Sequence, residues 1–189
     1  MRGSVLSAGM TDAAPRARFL VLHDYGMGGL WWWVWARSAR EVTERLAEVE
    51  VVDDPEAVER AGAWDLEETD IDAPVLPGGL GELRARRDAQ RGRPGFGALA
   101  DRAVVHLRLD GLYGDDDRSV YLMEVEGDGR RLRQVELTED GTALRSGPED
   151  WIFNPPVVDL FDPDLPEKEI GREEFEARWR RARHDDSYL

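Results

Sequence analysis

Four side chains in this sequence carry the chemistry most easily turned to catalysis: His23, Asp24 and Tyr25 in a row, and His106 much later. A carboxylate can orient an imidazole, and two imidazoles with one acid suffice for a metal site or an acid–base pair. If His106 meets His23 across a sheet, a metal-assisted hydrolase results. The spacing argues the other way. His23 and Asp24 close a strand, and adjacent strand residues point to opposite faces, so they serve one site poorly. The expectation is two hydrogen-bonded histidines beside a core, with no catalytic residue, metal or cofactor.

Two further patterns suggest ligands and fail on their surroundings. Gly26, Gly28 and Gly29 follow a strand, as a phosphate-binding loop does, but a helix N-terminus must come next to hold the phosphate. A tryptophan-rich strand comes instead, so the glycines make a hairpin turn. Asp159, Asp162 and Asp164 invite a calcium reading. An EF-hand loop opening at Asp162 places Glu167 at the position where the sharp turn needs glycine. Asp110 with Asp115, Asp116 and Asp117 also lacks a proper loop, and both clusters read as solvated loops.

The tryptophans are the remaining candidates. Trp31, Trp33 and Trp35 fall on one face of a strand, with Leu30, Trp32 and Val34 on the other. Apolar residues on both faces require a central strand covered on both sides. If one cover is missing, the exposed tryptophan face is a binding platform. Trp31, Trp33 and Trp35, with Tyr25, His23 and His106, are therefore the candidate binding residues.

Bulk composition narrows the classes of function. The chain of 189 residues has a formal net charge of −15 and a pI near 4.6. Such a balance opposes phosphate neutralisation and anionic membranes, and favours solubility or a basic partner. The absence of cysteine removes disulfides and thiolate chemistry. No apolar run reaches the ~20 residues that span a bilayer, and the N-terminus has no apolar core of a signal peptide. A cytoplasmic protein is expected, with neither nucleic acid nor membrane as partner.

The elements that must position these residues follow from local pattern. Residues 1–16 are small, polar and aperiodic, and read as a disordered tail. Arg18 to Tyr25 and Leu30 to Ala36 form a hairpin. Ser38 caps a helix with Glu41 in capping-box spacing, and Val42, Leu46 and Val49 make its apolar stripe. A short strand follows from Glu50, then a second short helix opened by Pro55, with Val58, Ala61 and Trp64 inward. Gly79 to Gln90 is a basic helix with Leu80 and Leu83 inward, able to fold back on the acidic stretch Glu41 to Asp72. The loop Gly92 to Gly97 is the boundary between halves. Beyond it, four short strands form a meander: Ala103 to Leu109, Val120 to Val125, Leu132 to Leu137, and Thr142 to Arg145 after the Asp140-Gly141 turn. A proline-rich segment then wraps the surface through Trp151, Phe153, Val157, Leu160 and Phe161. The final helix follows Gly171, with Ile170 and Phe175 in staple spacing and Phe175, Trp179 and Ala182 on its apolar face.

The second half resembles an actinobacterial family of domains of unknown function. The family pattern is a strand, a VRKVE-like strand, a DG hairpin and a helix of the form EISREEFE followed by Trp. The matching positions are Leu132 to Leu137, Asp140-Gly141 and Glu169 to Ala182, within residues 118–183. This chain departs from the pattern at Gly171, where the family has Ser. The DYG, GG and WWW unit of the first half is similar to segments of other uncharacterised proteins of those bacteria. The resemblance implies a fold and no established activity. The position of some family members beside toxin genes implies an immunity or binding role by association.

The expected fold is α+β: a mixed, largely antiparallel sheet built from the hairpin and the meander, with two capped helices packed on it. It forms a single compact domain or two small α+β subdomains, divided as a tail over 1–16 and units over 17–97 and 98–184. The expected function is non-enzymatic binding of a basic protein, with an immunity-type inhibitor of a basic toxin as one form. A metal-assisted hydrolase and a small-ligand sensor are the alternatives. Oligomeric state is not legible.

Overall fold

The computed structural model describes residues 15–26, 28–112, 116–151 and 154–184. Residues 1–14 of the expected tail, and Phe153 of the wrapping segment, lie outside the described residues. The class is α+β, and the sheet expected to join the two halves is instead two sheets.

The first sheet is built on the hairpin. Strand β1 (Ala17–Asp24) pairs with β2 (Gly29–Ala36), from Ala17 opposite Ala36 to Asp24 opposite Gly29. The turn closes with the Tyr25 N–H donating to the Gly28 carbonyl and the Gly26 N–H donating to Asp24. Gly26 holds φ at 89°, a conformation that glycine adopts at little steric cost. Strand β3 (Glu50–Val52) pairs antiparallel with β1, and β4 (Glu68–Asp70) parallel with β2, giving the order β3-β1-β2-β4. Strand β2 is therefore internal, as its two apolar faces require.

One face of this sheet carries Val21, Trp32 and Val34. It is covered by Val42 and Leu46 at helix α1 (Ala39–Arg45) and by Leu80 and Leu83 of α3 (Leu80–Gln90). Helix α1 starts where expected, with the Glu41 N–H donating to Ser38. The reciprocal half of the capping box is displaced by one residue, because the Glu41 carboxylate accepts from the Arg37 N–H. The opposite face carries Leu20 and Trp33. Helix α2 (Pro55–Ala61) lies over it through Ala61 and Val58. Asp54 caps α2 by accepting from the Ala57 N–H. The second cover of the tryptophan strand thus comes from the first half itself.

The second sheet is the meander with an added edge. Strands β5 (Val104–Asp110), β6 (Val120–Glu126), β7 (Arg131–Leu137) and β8 (Ala143–Ser146) run antiparallel in order. The short β9 (Arg183–His184) adds parallel to β8. One face packs Leu107, Tyr121, Met123 and Val125 under Leu99, Leu160, Phe161 and Leu165. The wrapping segment therefore forms a core layer rather than a surface belt. The other face packs Leu122 and Val135 under Phe175 of α4 (Arg172–Arg181). Ile170 and Trp179 flank Phe175 there, while Gly171 gives this helix no side-chain cap.

The halves meet at a charged seam. Arg87 of α3 is 1% exposed. Its Nη2 donates to Asp159 at 2.7 and 2.8 Å and to the carbonyls of Thr43 and Leu46 at the end of α1. Asp159 also accepts from the backbone N–H groups of Glu48 and Phe161. Glu48 holds φ at 54°, a left-handed conformation that costs a non-glycine residue about 1–2 kcal/mol. Contacts on every side hold it there: its N–H is on Asp159, its carbonyl accepts from His23, and its carboxylate pairs with Arg86.

Candidate binding site

The candidate residues of the first half lie along β1 and β2. Because β2 places alternate residues on one face, Trp31, Trp33 and Trp35 form a line. Trp64, just beyond α2, extends it through an edge-on contact with Trp31 at 5.5 Å. Trp33 is buried in the middle, whereas Trp64 is 43% and Trp35 38% exposed. Two ends of an aromatic stripe therefore reach the surface. The Trp35 indole N–H donates to Glu68 at 2.6 Å. Arg18, opposite Trp35 in the register, lies over Trp33 at 4.1 Å and pairs with Glu68. Those two donors, the Trp35 indole first, hold the Glu68 carboxyl below the usual carboxylate range. Asp65, Glu67 and Glu68 border the stripe as exposed acids.

Tyr25 is 59% exposed at the hairpin tip, its ring 6.4 Å from that of His23. His23 is occupied structurally. Its Nδ1 lies 2.8 Å from the Glu48 carbonyl, and since a carbonyl only accepts, Nδ1 carries the proton.

His106 belongs to the second sheet. The register aligns His106 with Glu124 and Glu124 with Arg133 across three strands, forming a row beneath α4. His106 Nε2 lies 3.0 Å from Glu124. Arg133 grips Glu124 with two bonds, at 2.8 and 2.6 Å, and reaches Glu176 on α4. The Arg133 guanidinium, through its hydrogen bonds, holds the Glu124 carboxyl below the usual range. Phase for phase, the Phe175 ring covers the same row, 5.1 Å from His106 and 4.9 Å from the Arg133 guanidinium. His23 and His106 thus stand on separate sheets with separate partners, and the structure does not bring them into one constellation. Among the described residues, no three His, Asp or Glu side chains are grouped to hold a metal ion. Asp162 is occupied by the Asp164 N–H, and Asp117 by the N–H groups of Leu112 and Ser119.

A cleft of about 370 Å3 opens where the edge of β3 faces the second half. Trp33, Val52 and Val58 line one side, and Leu160 and Phe161 the other. Arg130 stands at its corner against three carboxylates: Glu50 at 3.0 Å, Asp53 at 2.9 Å and Asp128 at 3.0 Å. Burial, outweighing the Arg130 contacts, pushes the Glu50 carboxyl up.

Sequence reasoning found Trp31, Trp33 and Trp35 but not Arg18, Trp64 as a surface residue, or the Arg130 corner. Arg18 had a local signal: it shares strand parity with Leu20 and so lies on the tryptophan face. The corner had none, because Glu50 and Arg130 meet only in the folded chain. Among the described residues no helix is long and apolar enough to cross a membrane. No family model, curated protein or solved structure matches the chain.

Proposed function

We propose that this chain is a non-enzymatic binding protein for a basic protein partner, in the manner of an immunity-type inhibitor of a basic toxin. The observation that carries the reading is the aromatic stripe, exposed at Trp64 and Trp35 and bordered by Asp65, Glu67 and Glu68. Indole rings supply large, rigid contact area and are enriched in binding hot spots. Acidic residues around them accelerate encounter with a basic surface and disfavour acidic competitors. The net charge of −15 extends the same preference over the whole molecule.

The rival hydrolase draws less support, since His23 serves the Glu48 carbonyl and His106 the Glu124–Arg133 row. Affinity capture at low and moderate salt, with the wild type beside a Trp35→Ala/Trp64→Ala variant, tests the proposal. The expected result is a basic protein retained at low salt, released as salt rises, and lost from the variant. Retention that ignores salt, or the capture of no basic protein, overturns it.

A further inference from the structure

We propose that the cleft between the two halves is a binding site for a small organic monocation with an apolar body, of the arylalkylammonium class. This inference goes beyond the protein-partner reading and does not rest on it, since Trp35 and Trp64 lie outside the cleft lining.

Size comes first. A volume of about 370 Å3 falls within the range of small-molecule sites. The walls come next. Trp33, Val52 and Val58 face Leu160 and Phe161, a surface suited to a ring or a branched hydrocarbon. Charge then selects the sign of the ligand. Two guanidinium groups line the cleft, but each already has an acidic partner. Arg18 pairs with Glu68 and lies over Trp33. Arg40 pairs with Asp101 and lies over Phe161. Asp159 on the lining is likewise matched by Arg87. At the remaining corner one guanidinium, Arg130, faces the three carboxylates of Glu50, Asp53 and Asp128. Negative charge is in excess there and nowhere else on the lining. The upward push on Glu50 is the response of a carboxylate whose burial outweighs its compensation. An ammonium group seated at the corner would offset that excess while its body displaced water from the apolar walls. A metal ion fits poorly, because no convergent set of three ligands is present among the described residues.

The test is calorimetric titration of the full chain with three probes of one shape: 2-phenylethylammonium, neutral 2-phenylethanol and anionic 3-phenylpropionate. Amide NMR shifts at Val52, Val58 and Phe161 locate the binding. The expected result is binding of the cation, with the alcohol roughly tenfold weaker or more, as loss of a charged hydrogen bond implies, and the anion weakest. Asp53→Asn/Asp128→Asn should erase the preference for the cation without changing the fold. Val58→Phe, which fills the cleft, should abolish binding of all three; should that variant not fold, the Asn pair still decides. Equal binding of cation and alcohol, preference for the anion, shifts outside the cleft, or no binding at millimolar probe would each overturn the proposal. None of these outcomes bears on the capture of a basic protein through Trp35 and Trp64, so the two readings fail separately.

Discussion

Two of the arginines that cross the seam between the halves, Arg87 and Arg130, do opposite things. Arg87 is buried, meets one carboxylate, and also donates to the carbonyls of Thr43 and Leu46 and to Gln90. Its charge is balanced and its surroundings are closed. Arg130 is partly exposed and meets Glu50, Asp53 and Asp128, so its surroundings keep an excess of negative charge. The closed joint holds the two halves in place. The open corner leaves a field that a ligand can answer. The distinction is between a charge buried with its partners and a charge left over at a cavity mouth. It separates structure from candidate function without appeal to residue type.

The joint should dominate stability. Asp159→Ala strands the buried Arg87 guanidinium and should destabilise the chain by about 3–5 kcal/mol, read by urea denaturation. Replacing both partners, as Arg87→Met/Asp159→Leu, should recover much of that loss, because it removes the buried charge as well as its mate. A double variant as unstable as the single one would mean that the carbonyls of α1, rather than Asp159, are the essential partners. Next in size is the row beneath α4. Arg133→Met removes charged hydrogen bonds to Glu124 and Glu176, and should cost about 1.5–3 kcal/mol.

The pH dependence sharpens the contrast, because Glu124 and Glu50 shift in opposite directions. The Glu124 pKa is depressed on folding. Its contribution is therefore present above the ordinary glutamate value, about 4.3, and is lost as pH falls through the lower folded value. The Glu50 pKa is raised. Its contribution is present below the ordinary value and is lost as pH rises through the higher folded one. In melting curves taken across the acid range, Glu124→Gln should reduce the acid-side loss of stability, whereas Glu50→Gln should make the net loss on acidification steeper. Slopes that change in the same direction would contradict the assignment. The smallest effect is expected for Asp53→Asn/Asp128→Asn, which should leave the melting temperature at the wild-type value, since surface ion pairs contribute little.

What the sequence showed of this fold was what local periodicity encodes. The internal place of β2 followed from its lack of a polar face, the start of α1 from Ser38, and the packing of Phe175 beside Ile170 from their spacing. The second cover of the tryptophan strand was missed because the inward face of α2 was legible, through Val58 and Ala61, but not the surface that this face packs against. One sheet was expected where two form, since strand pattern says which residues alternate and not which strands pair. The candidate site divided in the same way. Trp31, Trp33 and Trp35 were visible as a face, whereas Arg87 and Asp159 lie 72 residues apart and share no pattern. The His106–Glu124–Arg133 row exists only through the register of three strands. That register also explains why His106 was grouped with His23: both are strand histidines, and nothing local assigns them to different sheets.

The exposed ends of the tryptophan stripe carry the proposed function, and kinetics can separate their role from that of the surrounding acids. The decisive measurement is the association and dissociation rate of the captured basic partner, taken across a salt series for the wild type and for Trp35→Ala/Trp64→Ala. The expected result is an association rate that falls as salt rises, and a dissociation rate that is higher in the variant at every salt concentration. An association rate indifferent to salt, together with a variant that dissociates like the wild type, would contradict the proposal that this acidic, aromatic face is where the partner binds.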